Sequence, residues 1–422
     1  MAAPSDSALP LSPYRCLDLT TEVGYFCGKV LGDLGCDVIK VEPPGGDAGR
    51  NLGPFYQDHW DPGSSLYWLY YNSGKRGITL NLETADGRDL LKRLAAKVDF
   101  LVESFPPGAM EKLGLGYDVL SRINPRLIMA SITPFGRGGP YQGYKSSELI
   151  TQATGGILFL SGQPEHPPAL IGVPLAWQMA AVQTAVAMLL AHYWRLRTSW
   201  EGGDGRGQYI DLSMQEAVTN LLIRATMAWS LRGQVEARGP VSLTGRLRRT
   251  HIWPCKDGYV HWLWWTGLGW GRKNVPLLEW MEEYGMAQGL LDIDYEALGI
   301  DTISPELVER LETQVGRFFR KFTKAELYAE AVRRRVMLHP VNSAKDILED
   351  VQLQERGYWV GVEHPGLGDK LTFPGPYFRS TEYRPTVRHR APGMGEHNRA
   401  VYQGELGLTD RQLRALKEAR VI

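Results

Sequence analysis

The chain has 422 residues, 43% of them hydrophobic and 22% charged, which is enough to bury more than one core. Lys plus Arg and Asp plus Glu both number 47, so the formal net charge is zero, which argues against a nucleic-acid-binding stripe or a polybasic membrane anchor as the main function. Any anionic ligand must therefore be held by local cations.

Met1 to Asp6 lacks a basic region followed by an apolar run, so no signal peptide is expected. Cys16, Cys27, Cys36 and Cys255 form no C-x-x-C pair, and three of them fall in apolar segments, which suits buried thiols in a reducing cytoplasm. No metal site is expected.

Cys16 to Leu19 reads as a short buried strand. Gly24 to Gly35 follows with Tyr25, Phe26, Val30, Leu31 and Leu34 at helical spacing, and Asp37 to Val41 is the next strand, which together predict a right-handed βαβ unit. A helix over 86–98 and strands over 100–103 and 127–131 repeat the pattern. The fold class is α/β, with a Rossmann-like large domain built on a parallel sheet. No G-x-G-x-x-G follows the first strand, so a nicotinamide or flavin cofactor is not supported. The glycine clusters at 136–140 and 267–271 read as turns.

Leu175 to Trp194 carries no formal charge and raises a membrane span. Gln178, Gln183, Thr184 and His192 would lack partners in lipid, which favours a buried helix over 174–197. A loop over 199–207, a strand over 208–212 and a helix from Ser213 come next. Residues near 235–250 suit a linker, 251–265 reads as paired strands, and 305–335 as largely helical. Three segments result: 1–230 as the large domain, 231–335 as a smaller α+β domain, and 336–422 as a return segment completing the large one.

Four strings, in one order along nearly the whole chain, carry a resemblance. They are Leu17-Asp18-Leu19 with Leu34 through Asp47; Asn72 through Leu82, continuing into Val102 through Met110; Glu148 through Gly156 and on to Gly172-Val173-Pro174-Leu175-Ala176; and Pro392 through His397. Together they resemble the family III CoA-transferases. The resemblance implies a cytoplasmic enzyme whose two chains interlock as rings, with CoA or acyl-CoA as a substrate and no permanently bound cofactor. It also implies an aspartate nucleophile that forms an acyl anhydride and then an aspartyl-CoA thioester, splitting one difficult transfer into easier ones.

In the family that aspartate ends a G-V-P-x-x-D string. The aligned position here, 29 residues after Glu148 with no gap, is Trp177. Indole cannot perform covalent acyl transfer, since it offers only an N–H donor. Glu148 is the best remaining carboxylate, with a helix N-terminal role and a relocated-nucleophile role both open. A racemase is disfavoured, because that branch's His-Asp motif is Ser147-Glu148 here. By position, Gly24, Leu80, Asn81, Ser104, Phe105, Lys112 and Lys145 match the family's nucleotide-contacting places, while Val23 and Pro43 depart from polar or basic residues seen in relatives.

The resemblance thus implies a subunit without the nucleophile, working with a homologous catalytic subunit that carries the aspartate. Among heteromeric members it is most similar to those exchanging CoA between succinyl-CoA and (R)-2-benzylsuccinate in toluene degradation. Trp253, Trp262, Trp264, Trp265 and Trp270 would be compatible with an aromatic substrate. Two alternatives stay open: a catalytically silent homodimer that binds acyl-CoA in a regulatory role, and an active transferase using Glu148. No nucleic-acid or membrane partner is expected.

Overall fold

The computed structural model describes residues 9–163, 165–236, 238, 249–299 and 302–422. The N-terminal hexapeptide and most of the linker expected near 235–250 fall outside these.

β1 (Arg15–Leu19), α1 (Tyr25–Asp33) and β2 (Asp37–Glu42) make the expected parallel βαβ unit. The chain leaves α1 through Gly35 at φ +105°, where a Cβ would come within 2.6 Å of Leu9, so only glycine fits. There follow α2 (Leu66–Tyr71), β3 (Arg76–Thr79), α3 (Ala85–Ala95), β4 (Phe100–Glu103), α4 (Ala109–Lys112), α5 (Tyr117–Ile123) and β5 (Ile128–Thr133). Next come α6 (Glu148–Thr154), α7 (Leu175–Trp200), β6 (Tyr209–Ser213) and α8 (Met214–Thr219).

All six strands are parallel, in the order β3-β2-β1-β4-β5-β6. The direction of progression reverses between β1 and β4, the switch point at whose carboxyl end α/β sheets hold ligands. Both faces of the sheet are covered, which explains its near-continuous apolar strands. Leu17, Ile39, Leu101 and Met129 pack on one side with Leu90, Leu91 and Leu94 of α3. Cys16, Val38, Phe100 and Ile128 pack on the other with Val30 and Leu31 of α1 and Ala180, Ala181 and Met188 of α7. Cys16, Cys27 and Cys36 are buried free thiols, and burial pushes each of them up.

Among the described residues α7 is the one helix long and apolar enough to cross a membrane. The polar groups that argued against a span each have a partner: Gln178 donates to Tyr71 Oη at 2.6 Å, Gln183 to Ala217 O at 3.3 Å, Thr184 to Ala180 O at 2.7 Å, and His192 Nδ1 lies 2.9 Å from Arg195.

The chain divides into two compact units, 1–158 with 170–224 and 356–422, and 159–169 with 225–355. In the second unit β7 (Ile252–Cys255), β8 (Gly258–Trp262) and β9 (Leu338–Val341) form an antiparallel sheet. Leu277 and Leu278, Leu311, Val315 and Phe318, and Leu327 belong to helices that share its core. β9 pairs with β8, so the return to the first unit comes at Arg356 rather than at 336. Trp253, Trp262 and Trp264 are buried in this core. They serve packing.

The returning segment supplies an antiparallel hairpin, β10 (Trp359–His364) with β11 (Asp369–Pro374). It then docks Pro392 to Asn398 on the free edge of β3. His397 N donates to Gly77 O at 2.9 Å, Gly77 N to His397 Nδ1 at 3.1 Å, and Thr79 N to Asn398 Oδ1 at 2.9 Å. An edge strand that would otherwise expose unpaired backbone is thereby covered.

Candidate active site

The carboxyl end of the sheet is built on buried charge. Lys75 Nζ, fully buried, donates to Asp18 Oδ2 at 2.8 Å, Tyr25 O at 2.8 Å and Asn72 Oδ1 at 2.9 Å. Lys40 reaches Thr20 O and Asp47, and Arg50 forms a two-pronged pair with Glu42 at 2.6 and 2.7 Å. Burial pushes the Asp18 carboxyl up, but the Lys75 and Lys40 ammoniums more than reverse this and hold it below its usual range. The turn after β1 therefore has a rigid floor.

On that floor Thr21 N donates to Ser104 Oγ at 2.8 Å, tying the turn after β1 to the turn after β4 at the switch point. Gly24 donates its N–H to Thr21 O at 2.9 Å, and a Cβ there would lie 2.5 Å from Thr20 Cγ2. Gly24 and Ser104 are thus brought together through Thr21, with the half-buried Phe105 beside them. Leu80 and Asn81 follow β3, three strand spacings or about 14 Å from β4. The Leu80 side chain is core, and Asn81 accepts from Glu83 N at 3.0 Å and donates to Arg420 O at 3.4 Å. Only a long ligand could reach both groups. Lys112 and Lys145 are exposed and, among the described residues, make no ion pair.

Glu148 sits against the start of α7. Its Oε1 accepts from Ala176 N at 2.7 Å and its Oε2 from Trp177 N at 3.1 Å, while Gln152 Nε2 donates to Oε1 at 2.8 Å. The carboxylate satisfies two backbone donors that a helix start leaves unpaired, at the positive end of the helix dipole. Both oxygens are engaged, which favours the helix-terminal role over that of a free nucleophile. The 29-residue offset from Glu148 is also a spatial adjacency. The Trp177 indole is half-buried against the core face shared by α1 and α7.

Three neighbouring groups escaped sequence reasoning. Tyr71 receives the Gln178 amide, its ring lies 4.5 Å from that of Tyr67 and 5.6 Å from that of Phe26, and Tyr67 donates to Glu22 O at 3.1 Å. Burial, and after it the charges of Tyr71, Glu22 and Glu148, push the Tyr67 phenol up. The aromatic run at 66–71 was the available signal.

Glu103, the last residue of β4, is the third. It accepts from Phe105 N at 2.6 Å and from Ser131 Oγ, which in turn accepts from Tyr209 Oη at 2.7 Å. Burial pushes this carboxyl up to about 7, against a usual value of 4.5. Between these values the folded chain holds a proton that the unfolded chain has lost, so the contribution of Glu103 to stability is full below about pH 4.5 and declines as pH rises towards 7. Thermal melts between pH 5 and 8 should show this decline in the native chain and a shallower one in Glu103→Gln. Equal slopes would contradict the assignment.

The sequence profile of CoA-transferase family III matches residues 11–398. The chain is 35% identical over 92% of its length to the subunit BbsE of succinyl-CoA:(R)-benzylsuccinate CoA-transferase from Thauera aromatica, covering 93% of that chain. It is 31% identical to the beta subunit of succinyl-CoA–L-malate CoA-transferase from Chloroflexus aurantiacus, with 99% of each chain covered. A crystal structure of a CAIB/BAIF family protein from Brucella suis superposes with a TM-score of 0.80 at 27% identity, over 94% of this chain and 99% of that one. The chain belongs to CoA-transferase family III.

Proposed function

We propose that the chain is the non-catalytic subunit of a heteromeric CoA-transferase, moving CoA between an acyl-CoA and a carboxylic acid only together with a homologous subunit that carries the aspartate. The observation that carries the reading is Trp177 at the start of α7, with its backbone N–H on Glu148. Among the described residues, Glu148 is the carboxylate held at that helix start, and it spends both oxygens on backbone donors.

Two further features support a partner. Val186, Leu190, Tyr193 and Trp194 form an exposed apolar stripe on α7, at the spacing of one helix face. The relatives from T. aromatica and C. aurantiacus are themselves named as subunits. The first of these suggests succinyl-CoA and (R)-2-benzylsuccinate as the exchanged pair, and Phe26, Tyr67 and Tyr71 offer ring faces that suit a phenyl group. Acyl-CoA would lie across the switch point, against Gly24, Ser104 and Phe105 and towards Leu80 and Asn81, with Lys112 and Lys145 free for its phosphates.

Co-expression with a homologue ending G-V-P-x-x-D should give a stable complex with succinyl-CoA-dependent transfer, while the chain alone should give none. Full transfer by the purified chain alone would contradict the proposal.

A further inference from the structure

We propose that the cavity lined by the returning segment, on residues separate from the candidate active site, binds a dianionic ligand that carries one flat ring. Its volume of about 420 Å³ lies within the range of small-molecule sites. Arg356, Arg379 and Arg384 line it, and none of the lining residues is acidic.

Arg379 and Arg384 converge. An ideal Cβ at Gly357 would lie 3.2 Å from Arg384 Nη2 and 3.6 Å from Arg379 Nη2, so both guanidinium tips meet over a residue that has no side chain. Gly357 holds φ +57°, and Arg384 is fixed there by donating to Gly357 O at 3.2 Å. Among the described residues none of the three arginines pairs with a carboxylate. Like charges this close repel, and a bridging anion would turn that repulsion into charge-assisted, two-pronged hydrogen bonds. Three cations with no lining acid suit two negative charges better than one.

The rest of the lining specifies a ring. Tyr358, Trp359 and Tyr377 contribute aromatic surface. A nucleoside monophosphate and an aryl dicarboxylate share this chemistry.

Calorimetric titration of the full chain with AMP, phenylsuccinate and inorganic phosphate tests the site and separates the two sources. One of the ring-bearing dianions should bind below about 1 mM and more tightly than inorganic phosphate, and added salt should weaken it. The double variant Arg379→Gln, Arg384→Gln should lose about tenfold or more in affinity, and Arg356→Gln a smaller factor. All three side chains are exposed, so unchanged melting of these variants is expected and confirms that they fold. Failure of both ring-bearing ligands to bind would overturn the proposal. So would binding that survives the double substitution, or phosphate binding as tightly as the ring-bearing ligand.

Discussion

Replacing Lys75 by methionine is expected to destabilise the chain by about 3–5 kcal/mol, the usual cost of stripping one partner from a buried ion pair. Its ammonium has no exposure and spends three hydrogen bonds on Asp18, Tyr25 and Asn72. Without it Asp18 keeps Thr20 and a Lys40 ammonium 4.0 Å away, too little to hold a fully buried carboxylate. Removing both charges in Asp18→Asn, Lys75→Met should recover much of the loss, because no unpaired charge is left behind. Guanidinium melts of the three variants measure this. A Lys75→Met chain as stable as the parent would show that the floor of the site is not held by this pair.

The second large effect concerns Glu148. Glu148→Ala strips the acceptors from Ala176 N and Trp177 N, both charge-assisted, and should cost about 2 kcal/mol. Glu148→Gln keeps one acceptor oxygen and should cost roughly half as much. Within a reconstituted complex, transfer by the Gln variant should stay near that of the parent once folding is matched. A nucleophile would behave oppositely, since its amide would abolish transfer while barely affecting stability. Unfolding curves and single-turnover rates on the same preparations separate the two roles.

Much of this was readable from residue order because the decisive patterns are local. The runs at 16–19 and 37–41 and the helical spacing between them give the first βαβ unit directly, and the offset from Glu148 places Trp177 before any coordinates do. What was not readable depends on segments far apart in the chain. β3 escaped notice because Arg76-Gly77-Ile78-Thr79 is short, polar at both ends and carries a glycine; it becomes a strand by pairing with β2 on one side and receiving Pro392 to Asn398 on the other. Lysine is ordinarily a surface residue, and only the neighbouring strands show that the ammoniums of Lys40 and Lys75 are enclosed. The β10–β11 hairpin was hidden because Gly361, Pro365, Gly366 and Gly368 interrupt the apolar residues between Trp359 and Phe373. Arg379 and Arg384 meet over Gly357 only once that hairpin has formed, and Arg356 lines the same cavity.

The central claim is that covalent chemistry never takes place on this chain. Incubating the two-subunit complex with succinyl-CoA, quenching with hydroxylamine and mapping both subunits by mass spectrometry tests it most directly. A hydroxamate on the partner's G-V-P-x-x-D aspartate, with both Glu148 and Trp177 unmodified, is the predicted result. A hydroxamate on Glu148, or on any carboxylate of this chain at a level matching turnover, would contradict it.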